Sequence, residues 1–162
     1  MYLNTHTYYS LRYGTMSPET LIGEALRNEV KALALTDINN TMGTVDFVKL
    51  CLQNNIYPVA GIEFRNGDRY MYTGIARNNK GFMELNEFLT LYNENKEDFP
   101  EKAPKLNNVS FIYSWDNKPV KLSENELIGI RPEDINKLIS SPFSKTDERL
   151  IMWHPVSFGE KT

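Results

Sequence analysis

The sequence predicts an α/β fold, on three observations. Short apolar stretches alternate with helix-patterned ones through the first hundred residues, and the links between them are short. Three residues able to carry chemistry, His6, Asp37 and Glu63, each fall just beyond the end of a predicted strand. With 162 residues, 41% hydrophobic and 24% charged, the chain has the composition and size of one globular domain.

The elements follow in order. Met1–Asn4 reads as a strand stub before a tyrosine-rich loop. Ser17-Pro18-Glu19-Thr20 opens a helix, with a hydroxyl N-cap, proline at the first helical position and an acid in the first turn. Leu21, Ile22, Ala25 and Leu26 then share one helical face. Ala32–Thr36 is a buried-type strand ending at Asp37, and Asn39–Gly43 is a turn. Val45, Val48 and Leu52, with Phe47 and Cys51, form the apolar stripe of a second helix that stops at Asn54-Asn55. Ile56–Ala60 is a third strand, broken by Gly61 just before Glu63. Arg65-Asn66-Gly67-Asp68 is a hairpin turn into Tyr70–Ala76. Phe82, Leu85, Phe88, Leu89 and Tyr92 recur at helical spacing and read as core. The stretch 93–108 is a charged, irregular connector. Val109–Tyr113, Glu126–Ile130 and Arg149–His154 are further strands, with a short helix around Pro132–Leu138. Strand and helix in alternation imply parallel pairing by right-handed crossovers.

Composition excludes several function classes. A formal net charge of −3 gives the chain as a whole no footprint for gripping nucleic acid. No apolar run approaches the roughly 20 residues of a membrane span, and the start lacks the layout of a signal peptide. The single Cys51 leaves no internal disulfide and no cysteine-rich zinc site, and fits a cytoplasmic location. Two histidines, His6 and His154, are little material for a metal centre. Neither a Walker pattern nor a dinucleotide fingerprint occurs.

In parallel sheets and barrels, functional groups gather where strands end, so His6, Asp37 and Glu63 are expected at one rim. An imidazole and two carboxylates there could bind a divalent metal, which polarises a phosphoryl oxygen or deprotonates a water. They could also act as acid and base without metal. Equally, Asp37 could cap the turn at Asn39-Asn40, Glu63 pair with Arg65 or Arg69, and His6 be a hydrogen-bonded loop residue. Ser10 and Cys51 have no evident base beside them, and Cys51 reads as packing. His154 reads as a buried, hydrogen-bonded residue or a late ligand. Tyr8, Tyr9 and Tyr13 are expected to pack against the rim.

The same segments resemble a known family. His6–Gly14, Ala32–Asp37 with Asn39-Asn40 and Gly43, Pro58–Phe64, and Ala76–Phe82 with Leu85 and Leu89 resemble, in order and spacing, the PHP (polymerase and histidinol phosphatase) domain of bacterial DNA polymerase III alpha subunits. The match is strongest over 1–92, with looser echoes at Glu126–Ile130 and Trp153–Val156. The resemblance implies a single domain over 1–162 that forms an incomplete or distorted (β/α)7 barrel, with 109–162 supplying the remaining strands and a short helix. In intact members a rim cluster of histidines and acids holds several metals and gives phosphoesterase or 3′–5′ exonuclease activity. Carried over by position, His6, Asp37 and Glu63 are three of those ligands.

Departures accompany the match. Asn4 stands where a histidine is expected, Tyr13 where an acid is, Ile38 where a second histidine is, and Met71 near another. Isoleucine and methionine do not ligate hard cations. The resemblance therefore implies a relic site holding at most one weakly bound divalent ion, Zn or Mn; a Tyr13 phenol buried there would need a hydrogen-bond partner, for which Asp37 or Glu63 is the nearest candidate. It also implies an N-terminal, non-catalytic piece of a longer polymerase subunit. Its partners would be the rest of that subunit and a proofreading exonuclease, with DNA reached only through the full-length protein and no membrane involved. The other readings are a stand-alone metal-dependent phosphoesterase with a reduced site, and an interaction module using the tyrosine loop and the connector.

Overall fold

The computed structural model describes residues 2–139, 141 and 148–156. Met1 of the predicted first strand and the segment 157–162 lie outside the described residues. The elements are α1 (Pro18–Arg27), β1 (Ala32–Leu35), α2 (Thr44–Gln53), β2 (Tyr57–Asn66), β3 (Arg69–Ala76) and α3 (Asn79–Asn95), followed by β4 (Val109–Ser114), β5 (Glu126–Ile130), α4 (Ile135–Ile139) and β6 (Leu150–Met152). The class is α/β, and the six strands form one sheet in sequential order.

Pairing is mixed rather than all parallel. β1–β2, β4–β5 and β5–β6 are parallel, whereas β2–β3 and β3–β4 are antiparallel. The hairpin turn at Gly67 forces the antiparallel β2–β3 pair, because two strands joined by so tight a link must run in opposite directions. The sheet curls until its two ends meet. Tyr2 pairs with Leu33 and Thr5 with Val156. His6 N–H donates to the Val156 carbonyl at 3.0 Å and Val156 N–H to that of Asn4 at 2.9 Å.

Local sequence explains most elements. Ser17 caps α1, its hydroxyl accepting from Thr20 N–H at 3.2 Å with Pro18 at the first helical position. Leu21, Ile22 and Ala25 are buried, but Leu26 is exposed at the edge of that face. In α2 the buried face is Thr44, Phe47 and Cys51, while Val45 and Leu52 point to solvent. The stripe is turned by about one residue, or roughly 100°, and its largest side chain, Phe47, is fully buried in the cluster shared with α1. α3 is capped by Asn78, whose side chain accepts from Gly81 N–H at 3.0 Å, and buries Leu85 and Leu89.

Two expectations about strands need correction. β2 does not break at Gly61 but runs ten residues through it. A Cβ there would lie 2.5 Å from the Gly74 carbonyl oxygen, so this glycine permits close strand approach. Glu63 consequently sits inside β2, paired with Thr73 of β3, rather than past a strand end. The stretch 93–108 is partly helix, since α3 continues to Asn95. Beyond it, Phe99 is buried with its ring 5.0 Å from that of Phe64, and its backbone is bracketed by the Asn66 side chain at 2.8 Å on both sides.

The apolar residues form packed clusters. Ile62, Phe64, Tyr72, Phe111 and Tyr113 face α3 and the connector, while Leu33, Leu35 and Ile56 face α1 and α2. Side chains alternate across a strand, so Glu63, between Ile62 and Phe64, projects to the opposite face.

Candidate rim site

Three backbone segments meet at the rim. Glu63 N–H donates to the Asp37 carbonyl at 3.2 Å and Asn39 N–H to that of Glu63 at 3.0 Å, which sets the Asp37 and Glu63 segments side by side. Thr36 N–H donates to the Thr5 carbonyl at 3.0 Å and brings in the first segment. His6, Asp37 and Glu63 are all buried.

Their side chains nevertheless belong to two separate hydrogen-bond groups. Asp37 accepts from Thr7 N–H at 2.7 Å, the Thr7 hydroxyl at 2.7 Å and the Ser10 hydroxyl at 2.6 Å. It therefore anchors the 7–10 loop rather than the Asn39-Asn40 turn. Ser10 Oγ in turn accepts from Ile38 N–H at 2.9 Å. Glu63 takes the other group: Asn4 Nδ2 donates to Oε2 at 2.8 Å, His6 Nε2 lies 3.1 Å from the same oxygen, and Arg65 Nε donates to Oε1 at 2.5 Å. Burial by itself would raise the Glu63 carboxyl, but hydrogen bonding and charge from His6, the charge of Arg65 and the Asn4 amide outweigh it and hold the carboxyl below its ordinary value. Burial, and then the charge of Glu63, push the nearby Tyr70 phenol well above its ordinary value. Tyr70 thus stays a neutral donor, to the Ile112 carbonyl at 2.8 Å.

The other singled-out residues lie as follows. Tyr13 is half-buried; its hydroxyl donates to Asp68 Oδ1 at 2.7 Å, not to Asp37 or Glu63, and its ring is covered by the Arg65 guanidinium at 4.2 Å. Ile38 lines an open groove of about 750 Å³ with Tyr8, Tyr9, Leu11 and Met42. Met71 packs in the apolar cluster beside Tyr72 and is the extra residue where the β2–β3 register shifts. His154 is exposed rather than buried, on a groove with Tyr2 and Leu21. Cys51 is fully buried, and burial pushes its thiol up to about 11.

A metal centre needs several donors converging on one point, and these side chains are instead turned to separate protein partners. Each carboxylate already accepts from protein donors on both oxygens, and Asp37 is turned to a different set of partners from Glu63. Among the described residues, no three His, Cys, Asp or Glu side chains come together as a metal-holding group. The donor set does not fit a metal. Two further residues shape the rim without standing out in the sequence: Thr7, a partner of Asp37, and Asn39, whose side chain brackets the Arg65 backbone. The hydroxyls spaced at Thr7 and Ser10, just before a buried acid, were the available signal.

A curled α/β sheet with buried histidine and acids at one rim defines the class, and the family model gives it a name. The PHP domain model matches residues 3–124, and the chain belongs to that family. Among curated relatives, DNA polymerase III subunit alpha of Mycoplasma genitalium is 33% identical over 118 residues, which cover 69% of this chain and 13% of that protein. The same subunit of Staphylococcus aureus is 38% identical over 87 residues, 52% of this chain and 8% of that one. The error-prone DNA polymerase of Symbiobacterium thermophilum is 34% identical over 90 residues, 56% and 8% respectively. The chain thus spans only a small part of the length of these relatives. One solved structure, a putative metal-dependent phosphoesterase from Bifidobacterium adolescentis, aligns with a TM-score of 0.41 at 17% identity, over 96% of this chain and 59% of that one.

Proposed function

We propose that the chain is the N-terminal PHP region of a replicative DNA polymerase III alpha subunit, and that it serves there as a non-catalytic structural and docking domain. The observation that supports the second half is that both oxygens of each rim carboxylate are engaged by protein donors. The homology to polymerase III alpha subunits supports the first half. In this reading His6, Asp37 and Glu63 are relics of a metal cluster, with Asn4, Tyr13 and Ile38 at former ligand positions. The parent transfers deoxynucleotides to a primer end with carboxylates that lie outside these residues. The partners are the rest of that subunit and a proofreading exonuclease, in the cytoplasm.

A reduced-site phosphoesterase would need Glu63 to release Arg65, which the 2.5 Å contact disfavours. The gene beyond the codon for Thr162 tests the polymerase assignment. An open frame running into a polymerase palm supports it, and a stop codon directly after Thr162 overturns it.

A further inference from the structure

We propose that the Arg65 guanidinium is the permanent cation of the rim, balancing the buried Glu63 carboxylate beside His6 so that the domain needs no metal ion there. Glu63 is 1% exposed at its side chain and Arg65 only 16%, so their pairing is screened little by solvent. A carboxylate buried this deeply is strongly unfavourable without a compensating positive group.

The guanidinium is held in place from several directions. Its Nε donates to Glu63 Oε1 at 2.5 Å. Its flat face lies 4.2 Å from the Tyr13 ring centre, a cation–π contact. Tyr13 is itself fixed, because its hydroxyl donates to Asp68 at 2.7 Å, across the turn from Arg65. The Arg65 backbone is bracketed by one side chain, with Asn39 Nδ2 donating to its carbonyl at 2.8 Å and its N–H donating to Asn39 Oδ1 at 2.9 Å. Asn39 adopts a left-handed backbone with φ 51°, which asparagine tolerates better than most residues. The register of β2 against β3 also shifts between Phe64 and Arg65. Tyr13, Asn39 and Asp68 therefore help to fix one cation against one carboxylate.

Charge and coordination agree. Oε2 is occupied by Asn4 and His6, so an arriving divalent ion would have to displace Arg65 from Oε1 and then sit beside its positive charge. This is where the residues depart from the metal cluster that the family implies. Tyr13, at the position where the family has an acid, is the platform for the replacement cation.

The test combines Mn²⁺ titration of the 162-residue chain, followed by the EPR signal of the free ion, with thermal unfolding. Wild type is expected to show no saturable Mn²⁺ uptake and the same Tm with EDTA as with Mn²⁺. Arg65→Met, which keeps most of the stem and removes the charge, should lower Tm by roughly 6–20 °C. Glu63→Gln/Arg65→Met should regain most of that loss, since no buried carboxylate charge then needs balancing. Saturable Mn²⁺ uptake by wild type overturns the proposal, as does a double variant no more stable than Arg65→Met. Should Arg65→Met not fold at all, folding of the double variant supports the proposal and its failure to fold overturns it.

Discussion

Replacing Asp37 by alanine is the sharpest perturbation of the rim that does not touch Arg65. The carboxylate is 2% exposed and receives one backbone N–H and two hydroxyls, all at 2.6–2.7 Å. Removing it strands those donors out of reach of water. Each stranded buried donor costs about 1–3 kcal/mol. The hydroxyls of Thr7 and Ser10 can rotate to other acceptors, whereas the Thr7 N–H is fixed by the backbone. The expected total is therefore roughly 3–5 kcal/mol rather than three full penalties. For a domain of this length that corresponds to a fall in Tm of roughly 6–20 °C. Urea unfolding followed by circular dichroism measures it directly, with the midpoint shifted and the m-value kept. Asp46→Ala, at an exposed position of α2, should stay within about 0.5 kcal/mol of wild type and serves as control. The reasoning is refuted if Asp37→Ala is as stable as Asp46→Ala, or if its deficit appears only when divalent metal is supplied.

Other consequences follow from the same geometry. Because the folded state holds Glu63 below its ordinary 4.5, its contribution to stability is complete above about pH 4.5 and is lost as pH falls through the lower folded value. The stability gap between wild type and Glu63→Gln should therefore shrink on acidification below about pH 4.5, and a gap that widened there would contradict the assignment. Gly81→Ala would set a Cβ 2.0 Å from the Asn108 carbonyl oxygen, so α3 must shift; a loss of at least about 1–3 kcal/mol in a urea melt is expected, and a neutral substitution would show the packing to be wrong. The Cys51 thiol, buried and raised to about 11, should resist a thiol reagent in the native chain and react on unfolding.

What the sequence disclosed was local. Ser17-Pro18 announces the start of α1, and the spacing of Leu85 and Leu89 gives the buried face of α3, because both depend on neighbours within a few turns. The Glu63–Arg65 pair was one of the open alternatives, since residues two apart share a strand face. Features that depend on distant partners were not legible. Asp37 finds Thr7 and Ser10 about thirty residues upstream, and Tyr13 finds Asp68 fifty-five downstream. The roll of α2 onto Phe47 depends on the surface it meets, not on its own pattern. Gly61 looked like a strand breaker because the close approach of β3 that requires a glycine there is a tertiary fact. His154 sat between apolar neighbours in sequence, yet only Trp153 turns inward.

The most direct test of a rim closed by its own hydrogen bonds is hydrolysis of bis(p-nitrophenyl) phosphate by the purified chain with Mn²⁺ or Zn²⁺ in excess, beside Asp37→Ala and Glu63→Gln. The account predicts that wild type is no faster than either variant with either metal. A metal-dependent turnover in wild type that both substitutions abolish would contradict it.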